Sequence, residues 1–73
     1  MKQINIYQIK ALCLIWAVNN DLKIETLDNE TFLARGQGAI IHVPLSHLYT
    51  QVQNGFNVYD TLDNEACHDE ETA

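Results

Sequence analysis

The stretch 5–19 constrains this chain more than any other. It reads Asn-Ile-Tyr-Gln-Ile-Lys-Ala-Leu-Cys-Leu-Ile-Trp-Ala-Val-Asn, and inside it only Gln8 and Lys10 are clearly polar. Ile6, Ile9, Leu12, Cys13 and Trp16 recur at helical spacing and predict a helix with one strong apolar stripe. Tyr7, Leu14, Ile15 and Val18 point the other way, and they are apolar too. A helix that is apolar nearly all round has to be covered on most of its sides. Either this helix is central to the fold, or part of it faces another chain. A strand over residues 5–18 is the competing assignment. Asn19-Asn20 is the expected stop, because Asn tolerates the left-handed conformation.

The next 25 or so residues read as a short antiparallel meander. Residues 22–27 begin by alternating apolar and polar, as a half-buried strand does. Asp28-Asn29-Glu30 is turn chemistry, 31–35 resumes an extended segment, and Gly36-Gln37-Gly38 turns again. Residues 39–43 are mostly apolar and β-branched. Pro44 ends that strand and can open a helix. Leu45, Leu48, Tyr49 and Val52 then follow helical spacing, with Gly55 where a C-terminal cap belongs. Phe56 to Tyr59 is expected as a last short strand or a strap over the core.

The fold class that follows is α+β. A small antiparallel sheet of three strands, or four if Phe56–Tyr59 adds one, packs against two helices in the order α-β-β-β-α-(β). Double-stranded-RNA-binding domains share the α-β-β-β-α order. Those domains meet phosphates through a basic start to the second helix, and here that region is Pro44-Leu45-Ser46-His47, without Lys or Arg. Element order alone does not carry their function over.

At 73 residues there is room for one domain, and a core this small often needs a disulfide, a metal or a partner subunit. Cys13 lies in the most apolar stretch and Cys67 in the most polar, so both are expected as reduced thiols of a cytoplasmic protein. The apolar run Ala11–Val18 falls short of the ~20 residues a membrane span needs, and no pair of small residues follows it as a signal-peptide cleavage site would require.

The net charge of −6 is unevenly spread. Lys2, Lys10, Lys23 and Arg35 balance Asp21, Glu25, Asp28 and Glu30, leaving the first 59 residues neutral. The remaining acids, Asp60, Asp63, Glu65, Asp69, Glu70 and Glu71, have no base among them. Residues 1–59 are therefore expected as the single domain and 60–73 as a flexible acidic tail. Scattered bases in a neutral body argue against direct binding of nucleic acid.

No catalytic, cofactor or metal signature stands out. Cys67-His68-Asp69-Glu70-Glu71 has metal-ligand residue types, but adjacent ligands are not the paired spacing of a structural zinc site. His42, Ser46 and His47 flank Pro44 and could make a small acid–base or nucleophile site, yet no obvious carboxylate stands near to orient them. The expected function is a non-enzymatic protein–protein interaction module without cofactor. It would be a small regulator or inhibitor of the phage or mobile-element type, acting on a partner with a basic surface such as a nucleic-acid-handling complex. The residues expected to meet that partner are Tyr7 and Trp16 as aromatic anchors, with Asp21, Glu25, Asp28, Glu30, Asp60, Asp63 and Glu65 as the acidic surface. The alternatives are a homodimer that uses the first helix as its interface, and a small enzyme using His42, Ser46 and His47.

Overall fold

A computed structural model describes residues 5–68. The element order is α1 (Ile6–Asn19), β1 (Lys23–Leu27), β2 (Thr31–Gly36), β3 (Ala39–Pro44), α2 (Leu45–Gln53), α3 (Val58–Glu65) and β4 (Cys67–His68). The strands form one antiparallel sheet in the order β1-β2-β3-β4. The α+β class is that expected, with a third helix and a different fourth strand.

Local chemistry explains the boundaries. Asn5 opens α1 with a capping box: its Oδ1 accepts from the Gln8 amide at 2.9 Å, while its own amide donates to Gln8 Oε1 at 3.1 Å. At the other end the Leu22 amide donates to the Ala17 carbonyl and the Asp21 amide to that of Val18. This is a Schellman closure, and its left-handed residue is Asp21 (φ 58°) rather than either Asn expected there. α2 ends the same way, with the Phe56 amide on the Gln51 carbonyl and Gly55 at φ 92°.

The β2–β3 hairpin turns through Gln37 and Gly38, both at positive φ (52° and 75°), between the paired Gly36 and Ala39. Two central residues at positive φ give the twist that a two-residue hairpin needs. Gly36 is required by a close approach of the backbone. A Cβ there would stand 2.9 Å from the backbone carbonyl oxygen of Asp21, in the connection between α1 and β1. β1, at the sheet edge, breaks register between Ile24 and Thr26, a bulge of the kind that blunts an exposed edge.

Phe32 and Ala34 of β2 and Ile41 and Val43 of β3 are buried on the sheet face that the helices cover. They meet Ile9, Cys13, Trp16 and Ala17 of α1, Leu45 and Leu48 of α2, and Val58 and Leu62 of α3 in one core. The alternate strand residues Leu33, Arg35, Ile40 and His42 point to the other face, as the period of two dictates.

The folded body does not stop at Tyr59. Val58 and Tyr59 begin α3 instead of forming a strand or strap, and residues 60–68 carry helix and strand instead of a tail. Asn57 caps α3, its Oδ1 accepting from the Tyr59 amide at 2.7 Å, and Leu62 is fully buried. The fourth strand is Cys67–His68, paired with Ile40 and Ala39. The expectation of a flexible tail over 69–73 lies outside the described residues. Among the described residues no helix is long and apolar enough to cross a membrane.

Candidate functional site

α1 supplies the most distinctive surface. Its Ile9, Cys13, Trp16 and Ala17 side chains enter the core, which leaves the opposite side of an almost wholly apolar helix facing outward. Tyr7 is 72% exposed, Leu14 48%, Ile15 46% and Val18 64%. Ala11, also exposed, lies between Tyr7 and Leu14. Tyr7, Ala11, Leu14 and Val18 thus run along the helix at intervals of four, three and four, with Ile15 beside them. The one charged side chain at the margin is Lys10. Its ammonium lies 5.6 Å from the centre of the Tyr7 ring and donates to Asn29 Oδ1 at 3.1 Å, so the cation is drawn toward the β1–β2 turn. Contiguous apolar exposure of this kind marks an interaction surface more often than chance on a small protein.

Of the two aromatic anchors expected from the sequence, only Tyr7 is on this surface. Trp16 is 5% exposed. Its indole N–H donates to Asp63 Oδ1 at 2.8 Å, and its ring meets Phe32 edge-on, with centroids 6.3 Å apart and planes at 81°. Trp16 is a core residue that ties α1 to α3 across the chain. It fails as an anchor because the stripe it shares with Ile9 and Cys13 is the one the sheet covers.

The expected acidic surface is largely spent on internal contacts. Asp63 holds Trp16. Glu25 pairs with Arg35 (Oε2 to Nε, 2.7 Å) across β1 and β2. Asp28 Oδ1 accepts from the amides of Glu30 and Thr31, both at 2.8 Å, closing the β1–β2 turn, and these bonds hold its carboxyl below the usual carboxylate range. Glu30 lends its backbone carbonyl to the Leu45 amide at the start of α2. Glu65 Oε1 lies 3.1 Å from His47 Nε2. Asp60 is exposed in the first turn of α3, where a carboxylate suits the helix dipole. Asp21 is exposed just past the end of α1. The acids are thus distributed over a turn, a strand, the end of α1 and both ends of α3.

The histidine site expected around Pro44 takes a different form. His42 is exposed on the outward face of β3, opposite Leu33. Ser46 is exposed in the first turn of α2, and His47 reaches Glu65, a carboxylate 18 residues away in sequence that α3 brings beside it. Cys13 is sealed in the core, where burial pushes its thiol up to about 12 and removes its thiolate reactivity. Cys67 is exposed in β4 and is also free. Among the described residues no three His, Cys, Asp or Glu side chains converge as metal ligands.

Ala11, Leu14, Ile15 and Val18 complete the α1 surface alongside Tyr7. The apolar residues opposite the main stripe were the available signal, although periodicity alone does not say which side of such a helix meets solvent. This chain matches no family model, no curated protein and no solved structure.

Proposed function

We propose that this protein is a non-enzymatic protein–protein interaction module and that the outward face of α1 is its contact surface. The observation that carries the reading is the exposed stripe Tyr7, Ala11, Leu14, Val18 with Ile15 on a helix whose other side, through Ile9, Cys13, Trp16 and Ala17, is in the core. Leaving four large apolar side chains in water has a cost that a binding surface recovers, at about 25 cal/mol per Å² of apolar area removed from water. The role we propose is that of a small cytoplasmic regulator or inhibitor of the phage or mobile-element type. A net charge of −6, with Asp60 and Asp21 exposed, favours a regulated partner with a basic surface.

The test is site-specific photo-crosslinking in an extract of the source cells. A photoreactive residue at Val18 is expected to give discrete adducts, and one at the exposed Gln53, at the end of α2, is expected to give none. Equal labelling from both positions, or none from Val18, refutes the reading. The adduct mass separates a second copy of this chain from another protein.

A further inference from the structure

We draw no further inference here: the strongest candidate, the outward face of the sheet, where Leu33 and Ile40 lie among Lys23, Arg35 and His42, has one of its cations already paired with Glu25, and nothing in the structure shows what covers it.

Discussion

Trp16 sits where the two halves of the chain meet. Its ring packs edge-on against Phe32 of the sheet, and its N–H reaches Asp63 on α3, 47 residues away in sequence. The hydrogen bond is to a carboxylate, the kind whose loss costs about 1.5–3 kcal/mol. Trp16→Phe keeps most of the apolar area and removes the donor, and is expected to cost about 2 kcal/mol. Trp16→Ala also opens a cavity and is expected to cost about 3–5 kcal/mol. Asp63→Asn keeps the acceptor and loses only its charge, so it should cost least. Urea unfolding of the three variants checks the order, and a Trp16→Phe variant as stable as the parent would show that the bond contributes nothing. Helical spacing had already put Trp16 on the stripe with Ile9 and Cys13. Its partner was illegible, because Asp63 lies in a stretch whose excess of acid reads as a solvated tail.

At the level of elements, the meander and the first two helices were legible for physical reasons that hold locally. The strands show β-branched alternation, the hairpin turns are marked by glycine and by Asp28, and Pro44 and Gly55 punctuate α2. α3 was missed, although it carries its own signature. Asn57 is a good cap, Asp60 suits a first turn, and Val58, Leu62 and Ala66 fall four apart. What hid it was composition: four buried or half-buried apolar contacts are enough to hold a helix of eight residues, however acidic its outer side. α3 delivers Val58, Thr61 and Leu62 to the core and Asp63 to Trp16. A chain ending at Tyr59 loses nearly all of this. The removed contacts sum to several kcal/mol, a large part of the roughly 4–10 kcal/mol expected for a domain of this length. Such a chain is expected to lose its cooperative thermal transition by circular dichroism, whereas one ending at His68 keeps it. A sharp transition in the shorter chain would show that α3 is dispensable.

For the whole molecule, the α1 surface shows the limit of pattern reading most clearly. A helix that is apolar on every side announces that something covers it, but the side left open is decided by where the sheet, α2 and α3 dock, and that depends on contacts distant in sequence. The same long-range closure makes a further demand. The single core draws on all three helices and on β2 and β3, and the first and last helices are joined through Trp16. None of the three helices, nor β2 or β3, can leave without exposing core side chains of the others, so unfolding should be all-or-none. Trp16 is the sole tryptophan, and it touches α1, the sheet and α3 at once. Its fluorescence should therefore lose native character over the same urea range as the far-ultraviolet signal of the backbone. Leu62→Ala, in a fully buried site, should move both curves together to lower urea by an amount equivalent to about 2–5 kcal/mol. The comparison belongs at low protein concentration, so that self-association does not add to apparent stability. If Trp16 were released while the sheet signal persisted, α1 and α3 would form a separate unit from the hairpin, and the single core would be two.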